Sequence, residues 1–160
     1  MGDWAGQSGS GIRFEWESAG AGRLAAEAAC LVVVDVLSFT TAVSVAVETG
    51  IRILPFWLPD CPAAPAERAA AEKAATVYAR QSGARLAVSR RTVTSDSPWS
   101  LSPAHLRRAP SVARLVLPSP NGAAIAAAAP PDVQVVAACL RNITAVSGSW
   151  PAATAHPHIR

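Results

Sequence analysis

The first candidate for chemistry is a carboxylate, Asp35, inside an otherwise apolar run of Val and Leu at residues 31–37. An unpaired carboxylate in an apolar strand is costly, so Asp35 needs a cation or hydrogen-bond donors nearby. It is either a metal ligand or nucleophile for phosphoryl transfer, or a carboxylate that accepts backbone N–H bonds from a neighbouring loop. Ion and ligand sites form near the carboxyl ends of strands, which favours a functional role for Asp35.

Three hydroxyl side chains, Ser38, Thr40 and Thr41, follow Asp35 and precede an apolar helical stretch at residues 42–48. Hydroxyls at this point are typical of helix caps. The start of a helix also attracts phosphate through its N–H groups and its dipole, and hydroxyls add donors without adding charge. The two interpretations are compatible, so all three residues are candidate phosphate ligands.

A second polar turn, Ser119-Pro120-Asn121-Gly122, stands between an apolar run and an Ala-rich stretch. It combines a Pro-fixed bend, a residue that tolerates unusual backbone angles and a Gly before a predicted helix. This geometry suits a second anion-accepting helix start, with Ser119, Asn121 and Gly122 as candidate ligands. An ordinary strand-to-helix turn has a similar pattern, and the stretch alone does not separate the two.

A third polar turn contains Arg141 and Asn142. The planar guanidinium of Arg matches the oxygens of a phosphate or sulfonate, which makes Arg141 a candidate catalytic residue and Asn142 a candidate substrate ligand. The alternative is an Arg that forms an ion pair at the surface, beside an Asn that begins a helix.

Strands alternate with helices in the elements that must position these turns. Strands are predicted at 12–16, 31–37, 51–56, 85–88, 115–117 and 133–139. Helices are predicted at 42–48 and 66–81, in the Ala-rich stretch that follows Gly122 and ends at 129, and in a short stretch after 144. The run at 31–37 is apolar throughout, as in a strand buried on both faces, and is expected at the centre of the sheet. This alternation predicts an α/β fold with a mainly parallel sheet and helices on both faces. The three polar turns then follow strand ends and are expected to converge.

Composition excludes several classes of function. The chain has 160 residues and a formal charge of +3, but its Arg residues are scattered, so no nucleic-acid partner is expected. Three widely spaced Cys without a CxxC predict neither a disulfide framework nor a zinc site, and favour the cytoplasm. No apolar run is long enough to span a membrane. One domain is expected over 12–147, between disordered segments at 1–11 and 148–160.

Four stretches, taken in order, resemble the 2-phosphosulfolactate phosphatase family of coenzyme M biosynthesis, in its actinobacterial form. They are Val-Val-Val-Asp-Val-Leu-Ser-Phe-Thr-Thr at 32–41, Leu-Ser-Pro at 101–103, Leu-Pro-Ser-Pro-Asn-Gly at 117–122 and Cys-Leu-Arg-Asn at 139–142. The resemblance implies a three-layer α/β/α fold, bound Mg²⁺ and a possible homodimer. It also implies hydrolysis of a small phosphorylated acid to sulfolactate and phosphate, with Asp35 as metal or catalytic carboxylate and the other candidates around the substrate.

The sequence departs from this family in two places. Relatives continue past the Arg-Asn turn into an acidic segment, whereas this sequence stops at Arg160, so a C-terminally truncated, incomplete domain is expected. A catalytically inactive homologue that binds anions or a partner is the alternative. Many relatives have Arg where this chain has Ser38, and a replacement guanidinium would have to come from Arg90 or Arg91.

Overall fold

Strands and helices alternate along the chain, which confirms the predicted α/β fold. The computed structural model describes residues 7, 9–58 and 64–148. In chain order the elements are α1 (Glu17–Ala25), β1 (Cys30–Val34), α2 (Phe39–Glu48), β2 (Arg52–Trp57), α3 (Pro65–Gln81), β3 (Arg85–Leu86), α4 (Pro103–Arg108), β4 (Arg114–Ser119), α5 (Gly122–Ala127), β5 (Gln134–Ala138) and α6 (Ile143–Gly148). The predicted terminal segments at 1–11 and 148–160 lie mostly outside the described residues.

The strands pair in parallel in two small sheets. β1 lies beside β5, with Val34 opposite Ala138, and β4 lies between β2 and β3. The prediction that the 31–37 run forms the central strand is wrong, because within the described residues β1 pairs with one neighbour and β4 occupies a central position. The strand also stops at Val34, so Asp35 lies in the turn that follows it.

The main core lies on the β2–β4–β3 sheet. Leu115 and Leu117 of β4 are fully buried against α2, whose Ala42, Val45 and Ala46 form its buried face. Small and β-branched side chains on this face let the helix approach the strands closely. α2 ends at Glu48, and Gly50 has a φ of +81°, the left-handed conformation expected of a residue just past a helix.

The N-terminal segment differs from its prediction. Residues 12–16 form no strand, and the chain instead enters α1 at Glu17. The side chain of Gln7 replaces a partner strand, because its Oε1 accepts the Phe14 N–H at 2.9 Å and its Nε2 donates to the Phe14 carbonyl at 2.7 Å. The alternation of apolar residues reflects an edge-to-face contact between Phe14 and Trp16 rather than a sheet.

Two further elements refine the prediction near the candidate site. β4 continues through Pro118 to Ser119, two residues beyond the predicted strand, so that the turn before α5 is short. Helix α4 begins with Pro103, which suits the first position of a helix because it lacks an N–H. Within the described residues, no helix combines the length and the apolar composition needed to cross a bilayer.

Candidate functional site

The turn between β1 and α2 is closed by hydrogen bonds of its own residues. The Thr40 N–H donates to the Asp35 carbonyl at 2.9 Å, and the Asp35 N–H donates to Thr40 Oγ1 at 3.2 Å. Thr41 Oγ1 donates to the Val36 carbonyl at 2.8 Å. Thr40 is fully buried. Both hydroxyls therefore hold the shape of the 35–41 turn, the segment from Asp35 to Thr41.

The carboxylate of Asp35 joins this turn to the start of α5. Its Oδ2 accepts the Gly122 backbone N–H at 3.1 Å, a bond between residues 87 apart in sequence. Asp35 is half-buried, so part of the carboxylate stays accessible. The contact corresponds to the backbone-acceptor interpretation of Asp35, and it leaves Oδ1 without a hydrogen-bond partner among the described residues.

The close approach of the two segments depends on the absence of a side chain at residue 122. A Cβ added to Gly122 would lie 2.2 Å from Cδ1 of the Phe39 ring, which is the first residue of α2. Phe39 is itself buried. The Gly in the sequence is therefore required by packing between α2 and α5.

A third stretch of sequence reaches the same turn through Ser38. The Ser38 hydroxyl donates to the Leu101 carbonyl at 2.8 Å and accepts a hydrogen bond from Nη2 of Arg90. Leu101 immediately precedes the Ser102-Pro103 start of α4. Three of the four stretches that carry the family resemblance thus meet around the 35–41 turn.

The other candidates of the 119–122 turn have different environments. Ser119, the last residue of β4, is buried with about 1% of its surface exposed. Asn121 is exposed and makes no side-chain capping bond to α5. Gly122 uses its N–H to bind Asp35. Asn121 is therefore the member of this turn with a side chain open to a ligand.

Arg141 and Asn142 bind residues other than Asp35. Arg141 forms an ion pair with Glu48, with 2.7 Å between Nη2 and Oε2, and donates from Nη1 to Ser44 at 3.1 Å. The Asn142 side chain accepts the Cys139 N–H at 2.8 Å and donates to the Ala137 carbonyl at 2.9 Å. The Arg141 bonds tie the end of β5 to α2 and correspond to the surface ion pair that is the alternative for Arg141, whereas the Asn142 bonds close the turn after β5.

Two potential nucleophiles elsewhere are poorly suited to catalysis. Ser100 lies 2.8 Å from Nδ1 of His105 but is completely buried, and its hydroxyl also accepts the Ser102 N–H. Burial raises the pKa of the Cys30 thiol, so it stays protonated at neutral pH and is a weak nucleophile. The Ser100–His105 pair fixes the start of α4, close to the Leu101 carbonyl.

The side chains available as metal ligands limit the type of cation that can bind at the 35–41 turn. In the described part of the chain, no group of three or more His, Cys, Asp or Glu side chains is arranged to hold a metal. Mg²⁺ is commonly held by one or two carboxylates, with waters and substrate phosphate completing its shell. A single half-buried carboxylate with one unbonded oxygen fits Mg²⁺ that is shared with a phosphorylated substrate.

Several residues of this arrangement were not identified from the sequence. Phe39, the Leu101 carbonyl and Glu48 have no chemical signature of a site, because each is defined by a contact with a residue distant in sequence. Of the two adjacent arginines, Arg90 is the one bonded to Ser38. The sequence predicts a guanidinium near Ser38, but the choice between Arg90 and Arg91 requires the fold.

Comparison of the chain with protein-family models, with curated proteins and with solved structures gives no match.

Proposed function

We propose that this protein is a Mg²⁺-dependent phosphatase of small phosphorylated acids, with 2-phosphosulfolactate as the first substrate to test. The reaction cleaves the P–O bond of the phosphate ester with water, and yields inorganic phosphate and a hydroxy acid, here sulfolactate. Its site is the 35–41 turn together with the 119–122 turn and the Arg141–Asn142 turn.

The observation that carries the proposal is the hydrogen bond from the Gly122 N–H to the Asp35 carboxylate. It joins the 35–41 turn to the 119–122 turn, two segments whose residue types predict phosphate binding. The bond lies where β1 and β4 both end, and ligands of parallel α/β folds bind at that edge.

The chemistry of the substrate explains the residue types. A phosphorylated acid carries several negative charges, which a phosphatase must neutralise as the P–O bond breaks. In this proposal Asp35 would hold Mg²⁺, which when bound would offset the charge of the phosphate oxygens. Asn121 would contact the substrate, and the hydroxyl-bearing residues Ser38, Thr40, Thr41 and Ser119 would hold the shape of the two turns.

Arg141 has a conditional role in the proposed reaction. Its guanidinium is bonded to Glu48 and Ser44, so it would contact substrate only by exchanging these partners for an anion. The pair is partly exposed, and exposed ion pairs are weak enough to be exchanged. Asn142 would position this turn through its bonds to β5.

A second candidate function is binding of an anion or a partner without hydrolysis. It is favoured by the single carboxylate at the 35–41 turn and by the pairing of Arg141 with Glu48. Such a protein would bind phosphate without requiring Mg²⁺. The cytoplasmic location and the homodimer predicted from the sequence remain parts of the proposal that separate measurements must test.

The proposal is tested by phosphate release from 2-phosphosulfolactate and from other phosphorylated hydroxy acids, with Mg²⁺ and with EDTA. Asp35→Asn keeps an oxygen that can accept the Gly122 N–H but removes the charge. We expect it to lower Mg²⁺-dependent release by at least about 100-fold, the lower end of the loss expected for a catalytic carboxylate.

The matched control is Asp132→Asn, which removes the same charge from an exposed loop and should retain wild-type rates. Full Mg²⁺-dependent turnover by Asp35→Asn would show that Asp35 is not the catalytic or metal carboxylate. A wild-type protein that binds phosphate but releases none from these substrates would support the binding function instead.

A further inference from the structure

The Ser38 hydroxyl is contacted by a side chain from a distant loop. Arg90 belongs to the segment 87–102, which leaves β3 and returns to α4. Its Nη2 donates to Ser38 Oγ and makes a longer contact of 3.4 Å with the Leu101 carbonyl. Arg90 is therefore next to the 35–41 turn although it lies 52 residues from Ser38 in sequence.

The loop that carries Arg90 is fixed at its base. Val88 and Ser100 form a parallel bridge, and the Val88 N–H donates to the Trp99 carbonyl at 2.9 Å. Trp99 is buried and its indole N–H donates to the Pro110 carbonyl at 3.0 Å. Because Arg90 is two residues from this bridge, its backbone position is well determined, which lowers the entropy cost of placing its side chain at a site.

The guanidinium of Arg90 keeps donors and charge available. A guanidinium has five N–H donors, and both bonds of Arg90 to described residues come from Nη2. None of the four ion pairs found within the described residues includes Arg90. Arg141, in contrast, is paired with Glu48. Arg90 is thus a positive charge at the turn that forms no ion pair with a carboxylate of the described chain.

We propose that Arg90 is a substrate-binding residue that contacts the phosphate group at the 35–41 turn. The inference rests on the proposed phosphatase function and deepens it by assigning the guanidinium of the site. Ser38 orients this guanidinium by accepting its Nη2–H while donating to Leu101. The remaining N–H groups of Arg90 form the planar fork that fits two phosphate oxygens.

The neighbouring residue provides a matched control. Arg91 lies in the same loop and is also exposed, but its hydrogen bond is made by the backbone, from its N–H to Ser89 Oγ at 3.4 Å. Arg90→Gln and Arg91→Gln therefore remove the same charge from adjacent positions, and only the first removes a side chain that reaches Ser38. Any general effect of net charge on anion binding should be equal in the two variants.

The experiment is a titration of the full-length protein with inorganic phosphate by calorimetry, at fixed ionic strength, with and without Mg²⁺. We expect Arg90→Gln to weaken phosphate binding at least about tenfold, the effect of losing a charged hydrogen bond. Arg91→Gln should stay within about twofold of the wild type. Arg90→Lys, which keeps the charge but loses the fork, should fall between the wild type and Arg90→Gln.

A structural role of Arg90 is separated from binding by melting temperatures. A binding role predicts that Arg90→Gln melts close to the wild type without phosphate and loses most of the phosphate-induced shift. The inference is overturned if Arg90→Gln binds phosphate as tightly as the wild type, if both Gln variants lose equal affinity, or if the wild type binds no phosphate. If phosphate binds through Arg90 but no substrate is hydrolysed, the phosphatase proposal is overturned and the inference about Arg90 stands.

Discussion

At the scale of single residues, Asp35 has features of both a structural carboxylate and a metal or catalytic carboxylate. One oxygen accepts a backbone N–H, as in a purely structural carboxylate, while the residue stays half-buried at the end of a strand. A carboxylate held from one side keeps a fixed direction for its other oxygen. Such preorganisation is what a metal or substrate site requires, because no reorientation is needed on binding.

Gly122 gives the sharpest prediction at this scale. In Gly122→Ala the new methyl group would overlap the Phe39 ring, whose nearest atom is 2.2 Å from the added Cβ. We expect a loss of about 1–3 kcal/mol in unfolding free energy, as is usual for overpacking, together with weaker phosphate release because the Asp35 contact is displaced. Urea denaturation and the activity assay measure the two effects.

The control for Gly122→Ala is Gly22→Ala on α1, where an added Cβ meets no atom within 4 Å. Alanine favours a helix over glycine, so this variant should gain up to about 1 kcal/mol. Equal stability of Gly122→Ala and the wild type would mean that α2 and α5 separate readily, and would contradict the close packing.

At the scale of elements, the ion pair between Arg141 and Glu48 links the end of β5 to the last turn of α2. Both side chains are partly exposed, with 37% and 64% of their surfaces accessible. A pair of this kind stabilises a protein by at most about 1 kcal/mol. Its main effect is therefore to hold the Arg141 guanidinium against Glu48 and Ser44 of α2.

This arrangement makes Glu48→Gln informative. Removal of the carboxylate frees Arg141 for an anion, and the energy of an exposed pair corresponds to a gain in phosphate affinity of up to about fivefold. The same titration measures it, with Glu72→Gln of the exposed Arg68–Glu72 pair on α3 as the control for charge. Unchanged affinity in Glu48→Gln would remove Arg141 from the proposed set of catalytic residues.

At the scale of the whole molecule, the strands divide into two sheets, and an apolar cavity of about 620 Å³ that is open to solvent is lined by residues of both. Its walls come from both sheets and two helices, and include Val33, Val43, Ile53, Ala126 and Val135. Because this cavity is open to solvent, apolar side chains such as Val135 stay partly exposed, and the hydrophobic stabilisation of burying them is not gained. The cavity is therefore the place where added apolar volume should be accepted.

Ala126→Leu tests this directly. Three added carbons that enter the cavity should raise the unfolding free energy by about 2 kcal/mol, at roughly 0.8 kcal/mol for each buried CH₂. Ala127→Leu adds the same atoms to an exposed position on α5 and should change stability by less than about 0.5 kcal/mol. Urea denaturation of both proteins measures the difference, and equal stabilities would show that the cavity does not accept the side chain.

The sequence by itself determined the alternation of strands and helices, although α1 (Glu17–Ala25) and α4 (Pro103–Arg108) were not predicted. Helix α3 was predicted at 66–81 and is found at Pro65–Gln81, since its Ala, Glu, Arg and Lys residues favour a helix without tertiary support. The strands were found from β-branched runs, although a strand at 12–16 was wrong because alternation alone does not supply a pairing partner. Local propensity and periodicity act over a few residues, so they can be recognised without the fold.

Tertiary structure alone decided how the candidate residues are grouped. Asp35 meets Gly122 through a bond that spans 87 residues, Ser38 meets Leu101 through one that spans 63, and Arg141 is paired with Glu48 on α2. The apolar 31–37 run indicated a central strand, yet β4 takes that position, since pairing order depends on how the helices connect the strands. The sequence therefore determined which residues have suitable chemistry, whereas long-range packing decided which of them meet.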